Sequence, residues 1–349
     1  MSSPGKILIV GPSWVGDMVM AQALYKLLLR RIPDAELHVL APAWSKPVLE
    51  RMPEVTRAIE QPIGHGMLGL TARRALGRRL RAERYAQAII LPRSFKSALV
   101  PYFASIPIRT GFRGEWRYGL INDLRPFDPE ILDQTVKRFV ALGVERGETK
   151  LPPIDTPSLQ TDKQSRASAL TRFGLDADVN SVALLPGAEY GPAKCWPLAN
   201  FTELASRLAR VGVGVWVLGS AKEKEFGDAI LRSVDAPGAR NLCGETSLAE
   251  VVDILSATKV AVTNDSGLMH MASAVQTHVV ALYGSSSPRF TPPLTDTKHV
   301  FFLDLECSPC FQRHCPLGHF RCMKELSVDV VCSAVVTALG GSPNGMGNA

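Results

Sequence analysis

Lys259-Val260-Ala261-Val262-Thr263-Asn264-Asp265-Ser266-Gly267-Leu268-Met269-His270-Met271-Ala272 runs an apolar strand through a small polar turn into a helix pattern. A strand that opens directly into a helix presents backbone N–H groups and the positive end of the helix dipole, where an anionic ligand can sit. The turn therefore reads as a phosphate-type site, and the strand as one member of an open α/β sheet. Asp265 cannot itself hold phosphate; its expected work is to order the turn or to accept from sugar hydroxyls. His270, one helical turn from the Ser266-Gly267 step, has two readings, a satisfied packing residue or a donor contact.

Upstream, a second apolar strand, 182–185, runs into Pro186-Gly187-Ala188-Glu189-Tyr190-Gly191-Pro192-Ala193-Lys194-Cys195-Trp196-Pro197. The loop holds one lysine among glycines and prolines. Lys194 together with the helix start at Ser266 would suffice for a diphosphate. Trp196 beside it reads as core or, less directly, as a stacking surface.

Strand and helix patterns alternate twice along the chain. Strands are expected at 6–10, 36–40, 88–91 and 106–111, with helices at 18–29, 70–84 and 95–103. Residues 147–162 hold Pro152, Pro153 and Pro157 among polar residues and read as a linker. A second alternation follows, with strands at 181–185, 213–218, 259–263 and 279–283, and helices at 199–210, 222–233, 248–256 and 268–274. The pattern predicts two α/β units in tandem, each a doubly wound, mostly parallel sheet, with boundaries at 1–160 and 161–340. The tail 341–349, rich in Gly, Ser, Pro and Asn, is expected to be disordered.

The 349 residues are 46% hydrophobic and 21% charged, a soluble globular balance. The first apolar stretch, Ile7 to Val10, is too short for a signal core or a membrane span, so a cytoplasmic protein is expected. A net charge of +6 is unevenly placed. Arg73, Arg74, Arg78, Arg79, Arg81 and Arg84 crowd one helix pattern, and Arg109, Arg113, Arg117 and Arg125 follow in the same half. That is either a solvated helix face or a surface for a partner rich in phosphate or carboxylate, such as anionic lipid. No nucleic-acid motif accompanies it.

Cys307, Cys310, Cys315 and Cys322 cluster as C-x2-C-x4-C-x6-C. In a reducing compartment such a cluster holds a structural metal, zinc or iron by the softness of thiolates, or stays as free thiols, with disulfides a third reading.

Gly11-Pro12-Ser13-Trp14-Val15-Gly16-Asp17 follows the first strand without forming a G-x-G-x-x-G loop and without a Walker lysine. Both the oxidoreductase and the nucleotide-hydrolase readings weaken accordingly. Asp17 at a helix start either complements the dipole or serves as a general base. Asp176-Ala177-Asp178 is a D-x-D sequence, but it precedes the first strand of the second unit and reads as a solvated turn rather than a metal site.

With Phe95-Lys96-Ser97-Ala98-Leu99, Arg109-Thr110-Gly111 and Arg117-Tyr118-Gly119-Leu120, these motifs occur in an order that resembles the ADP-heptose:lipopolysaccharide heptosyltransferase family over residues 6–293. The Gly11 to Asp17 motif is similar to the second inner-core enzyme (heptosyltransferase II) more than to the first. The resemblance implies a GT-B fold, two Rossmann-like domains facing across a cleft, acceptor on the first and nucleotide sugar on the second. It implies inverting transfer of L-glycero-D-manno-heptose from ADP-heptose to the first heptose of Kdo2-lipid A.

Carried over by position, the resemblance implies Asp17 as the base and Lys194 as the diphosphate ligand. Asp265, Ser266, Gly267 and His270 become the donor loop, and Glu223 or Glu225 falls where ribose hydroxyls bind. Lys96, Arg113 and Arg117, by charge and family together, become acceptor contacts, with peripheral attraction to the inner membrane. No cofactor is implied for the transfer. Two other classes stay open: another sugar-nucleotide transferase or epimerase on the same fold, and a non-catalytic nucleotide-binding protein.

Overall fold

Val182 to Leu185 and Val260 to Thr263 lie side by side in parallel register, Val182 opposite Val260 and Leu185 opposite Thr263. Every residue of both strands is buried, as expected for parallel strands covered on both faces. A computed structural model describes residues 5–341 apart from residues 65, 149, 178, 233 and 235. The expected disordered tail, from residue 342 on, and Asp178 of the D-x-D sequence lie outside the described residues.

The chain divides into two compact units between Pro157 and Ser158, inside the proline-rich stretch. In the first, the elements run β1 (Lys6–Val10), α1 (Val15–Arg31), β2 (Glu36–Ala41), α2 (Lys46–Leu49), β3 (Arg57–Glu60), α3 (Leu70–Leu80), β4 (Gln87–Ile90), α4 (Leu99–Phe103), β5 (Ile108–Phe112), β6 (Asp123–Arg125) and α5 (Thr135–Ala141). The sheet order is β3-β2-β1-β4-β5-β6, all parallel. In the second, α6 (Lys163–Phe173), β7 (Ser181–Leu185), α7 (Leu198–Arg210), β8 (Gly214–Val217), α8 (Lys224–Leu231), β9 (Ala239–Asn241), α9 (Leu248–Ala257), β10 (Val260–Asn264), α10 (Gly267–Ala274), β11 (His278–Tyr283), β12 (Lys298–Phe302), α11 (Arg321–Lys324) and α12 (Val328–Ala338) follow. Its order is β12-β11-β10-β7-β8-β9, again all parallel.

Each unit thus repeats one plan, in which the first strand sits beside the fourth and the order reverses between them. That reversal opens a crevice at the carboxyl ends of the strands, where such sheets bind ligands. In the first unit the crevice lies between the loops after β1 and β4; in the second, between those after β7 and β10. Both switch points fall on motifs picked out above.

The second core is built around Trp196, which is 2% exposed, packs edge-on to Phe201 at 5.0 Å and donates its indole N–H to the Leu326 carbonyl at 2.9 Å. Trp196 is therefore a core residue, fixing where the Lys194 loop leaves the sheet. Its burial is worth about 1.5–3 kcal/mol relative to exposure, before the hydrogen bond is counted. No described helix is long and apolar enough to cross a membrane.

Candidate active site

The loops after β7 and β10 meet through side chains. Lys194 Nζ lies 2.5 Å from Asp265 Oδ2, and Asp265 Oδ1 accepts from Thr291 Oγ1 at 3.3 Å. One residue earlier, Asn264 Oδ1 accepts from the Trp196 N–H at 3.0 Å, while its amide donates to the Pro186 carbonyl at 2.7 Å. Asn264 thereby satisfies both ends of the lysine loop, and Asp265 neutralises the lysine. The side chains of Asp265 and Lys194 are 5% and 17% exposed, which makes this a partly desolvated pair with one open side.

Gly191 brings the loop close to a second segment. Its φ of +154° suits glycine, and a Cβ there would stand 2.5 Å from the Arg313 carbonyl oxygen. The same carbonyl accepts from the Ala193 N–H at 3.1 Å, and Tyr190 donates its hydroxyl to the Phe311 carbonyl at 2.7 Å. Lys194 Nζ and the Arg313 guanidinium each lie 5.3 Å from the centre of the Tyr190 ring. Residues 311–313 therefore brace the lysine loop. Sequence reading missed this; its one signal, the aromatic and basic residues between Cys310 and Cys315, was overshadowed by the cysteines.

The helix beyond Asp265 offers its N-terminus. Ser266 is the N-cap of α10 in extended conformation, and its hydroxyl makes no capping bond to that helix. The cap therefore does not consume the first-turn N–H groups, Gly267 leading, which are the donors an anion needs. His270, one turn on, is 4% exposed. Burial pushes its imidazole down to about 4, with Asp265 opposing and Lys194 adding to the fall, so it is neutral at physiological pH. Buried Tyr283, held above its ordinary range by burial and then by Asp265, donates to the Thr291 carbonyl at 2.6 Å.

Of the two glutamates, Glu223 is the one against the β7 loop. A Cβ on Gly187 would approach its Cδ to 3.0 Å. Glu223 closes a capping box, its Oε2 accepting from the Ser220 N–H at 2.7 Å and the Ser220 hydroxyl at 2.6 Å. Glu225 is exposed in the first turn of α8.

In the first unit, Asp17 sits half-buried in the first turn of α1, just after the loop from β1. Lys96 is half-buried in the 3-10 turn Phe95–Ala98 after β4, and exposed Arg113 follows β5. Arg117, expected among the acceptor contacts, is held inside the loop. It is 4% exposed, and its guanidinium donates to the carbonyls of Pro92 at 2.8 Å and Phe112 at 2.6 Å and to Ser97 Oγ at 3.2 Å. Burial, with Arg93 adding, lowers its pKa to about 10. Arg73 is corrected likewise: 2% exposed, it donates Nε to the Leu68 carbonyl at 2.7 Å.

The cysteine cluster gives the metal expectation no support. Cys307, Cys310, Cys315 and Cys322 line one cavity of about 20 Å³, yet among the described residues no group of three or more His, Cys, Asp or Glu side chains stands close enough to hold an ion. The thiols have other work. Cys322 is packed in the core of the second unit, and Cys315 Sγ accepts from the Phe320 N–H at 3.4 Å. None of the seven cysteines is in a disulfide, and the zinc or iron expectation finds no support among the described residues.

Known proteins match this arrangement. The pattern of glycosyltransferase family 9 (heptosyltransferase) fits residues 73–321. The chain is 49% identical to lipopolysaccharide heptosyltransferase 2 of Escherichia coli K12, over 85% of this chain and 88% of that one. It is 44% identical to lipooligosaccharide heptosyltransferase 2 of Haemophilus influenzae, with the same coverage. The solved structure of the E. coli ADP-heptose LPS heptosyltransferase II superposes with a TM-score of 0.86 at 44% identity, covering 96% of this chain and 98% of that chain. The fold is GT-B, and the chain belongs to glycosyltransferase family 9, the heptosyltransferases.

Proposed function

We propose that this chain transfers L-glycero-D-manno-heptose from ADP-heptose to the first heptose of heptosyl-Kdo2-lipid A, with inversion at the anomeric carbon, in building the lipopolysaccharide core. The observation that carries the reading is the Lys194–Asp265 pair beside the open start of α10 at the switch point of the second sheet, in a chain so similar to heptosyltransferases 2. A different sugar-nucleotide transferase or an epimerase on the same fold is not favoured by those relatives.

In this reading the first unit carries the acceptor and the second the donor. The second supplies the stabilisation that inverting transfer needs. As the glycosidic bond breaks, negative charge grows on the departing ADP, and interactions that strengthen then lower the barrier. Lys194 has three donors, of which Asp265 takes one in the described pair. The others, with the Ser266 and Gly267 N–H groups, meet the diphosphate. Asp265 holds the ammonium in place, neutral His270 adds a donor contact without adding charge, and Glu223 reaches the ribose.

On the acceptor side Asp17 takes the proton of the attacking hydroxyl, while Lys96 and Arg113 meet the acceptor's anionic groups. The exposed arginines of α3 draw the protein to the anionic inner membrane, at the cytoplasmic face where the lipid-linked acceptor lies. The reading asks no metal or other cofactor of the transfer step, and nucleic acid has no part in it. A turnover assay with ADP-heptose and a heptose-terminated Kdo2-lipid A acceptor tests it: one heptose added per acceptor is expected, and no transfer, or transfer only from another sugar nucleotide, would refute it.

A further inference from the structure

The loop after β5 holds an indole outward by pinning the residues on either side of it. Before Trp116, Glu115 accepts from the Phe95 N–H at 2.8 Å through Oε2 and donates its own N–H to the Arg93 carbonyl at 3.2 Å. After it, Arg117 is locked by the Pro92 and Phe112 carbonyls. Both neighbours are tied to the loop after β4, and Trp116 between them is 86% exposed. Tyr118, 68% exposed, meets it edge to face with ring centroids 6.4 Å apart, and accepts from Arg113 Nη2 at 2.8 Å.

The result is a fixed aromatic pair with a guanidinium beside it, and Trp, Tyr and Arg are the residues that most often anchor binding surfaces. This surface rises from the carboxyl edge of the first sheet, the edge that also carries the Asp17 loop. Two strand spacings separate β5 from β1, about 10 Å.

We infer that Trp116 is a stacking platform for a sugar ring of the acceptor, with Arg113 placed to meet that acceptor's carboxylates or phosphates. The indole offers a flat face to the C–H groups of a pyranose, and the charge beside it suits a sugar acceptor that is anionic. The inference rests on the heptosyl-transfer reading above and adds to it a residue that fixes acceptor specificity without touching the donor.

The test uses two acceptors, a heptose-terminated Kdo core oligosaccharide with its acyl chains removed, and the same core still acylated in anionic vesicles. Trp116→Ala should raise KM for the deacylated acceptor about tenfold, with kcat and the KM for ADP-heptose nearly unchanged. Trp116→Phe should recover most of the loss. An unchanged KM for the deacylated acceptor would overturn the inference. So would a rise seen only with the acylated acceptor on vesicles, which would make the ring a bilayer anchor. If the wild type moves heptose normally while Trp116→Ala behaves like it, this inference alone fails; if the wild type moves none to either acceptor, the transfer reading fails and takes this one with it.

Discussion

Lys194 and Asp265 come from loops 71 residues apart and meet at 2.5 Å, across the switch point of the second sheet. A lysine held this way is pre-positioned, since its carboxylate partner fixes the ammonium while leaving donors for a second anion. Lys194→Ala should therefore weaken ADP binding and lower kcat/KM together, by about 10- to 100-fold, because the charge serves both the bound diphosphate and the departing one. It also leaves Asp265 buried without its cation, a defect of about 3–5 kcal/mol in fully buried pairs and less here on the open side. ADP calorimetry with a melting curve separates the two effects. Unchanged ADP affinity in a folded variant would remove Lys194 from the donor site.

Asp17 stands in the first turn of the 17-residue helix α1, where a carboxylate would favour the helix even with no chemistry to do. The two roles differ in size. Dipole complementarity is worth about 0.3–1 kcal/mol of stability. General-base catalysis is worth about a hundredfold or more in rate. Asp17→Asn is thus expected to cut kcat at least a hundredfold while ADP binding and melting temperature barely move, and a near-normal chemical step in single-turnover kinetics would leave Asp17 with the helix alone.

How much of this the sequence revealed depends on what each residue had to be told apart from. The buried strands β1, β7 and β10 read directly, because both their faces are covered and each carries a run of three or four consecutive apolar residues. The edge and outer strands β3, β6, β9 and β12 did not, since they are short, half-exposed and mixed in composition. Helix α12 escaped notice although its buried Val328, Val331, Cys332, Val335 and Val336 recur at helical spacing, because β-branched valines fill the run. The loops after β1, β7 and β10 were legible as strand-turn-helix punctuation.

Charge was not legible in the same way. Arg73, Arg117 and Arg125 look in sequence like Arg74, Arg78 and Arg113, yet the first three are buried on backbone carbonyls. A guanidinium that caps loops and one that meets solvent differ only in tertiary context. Glu223 and Glu225 are likewise two residues apart, and only the capping box and the approach to Gly187 distinguish them. The four clustered thiols show the same limit: their spacing suggests a metal, and the described residues lend it no support.

His270 gives a pH signature in stability. Its folded pKa, about 4, lies below the ordinary 6.5, so the unfolded chain takes up a proton that the folded one refuses. The stability is fully present above 6.5 and falls as the pH drops from there toward 4. At about 1.4 kcal/mol per pH unit, the loss from this residue is roughly 3 kcal/mol. His38 and His278, also lowered by burial, act in the same direction. Denaturant unfolding between pH 7 and 4 should show a steeper decline in the wild type than in His270→Gln. Equal slopes would mean that His270 is protonated in the folded protein.

The basic face of α3 supplies the last expectation, changed by the structure in its membership. Arg73 points inward, whereas Arg74, Arg78 and Arg81 line an open cavity of about 330 Å³ with Leu70 and Phe103. Arg81 is tied to the Phe103 carbonyl at 2.8 Å, so Arg74 and Arg78 with the exposed Arg79 are the residues to reverse. Each cation near an anionic bilayer contributes about 1 kcal/mol, screened over about 8 Å at physiological salt. Changing all three to Glu should weaken sedimentation with anionic liposomes by at least tenfold and raise KM for the acylated acceptor, while ADP binding and turnover of the deacylated acceptor stay as they were. Reversing Arg73 instead should unfold the turn at Leu68 and depress the melting temperature. If liposome binding at low salt does not respond to the triple reversal, the face is a solvated surface.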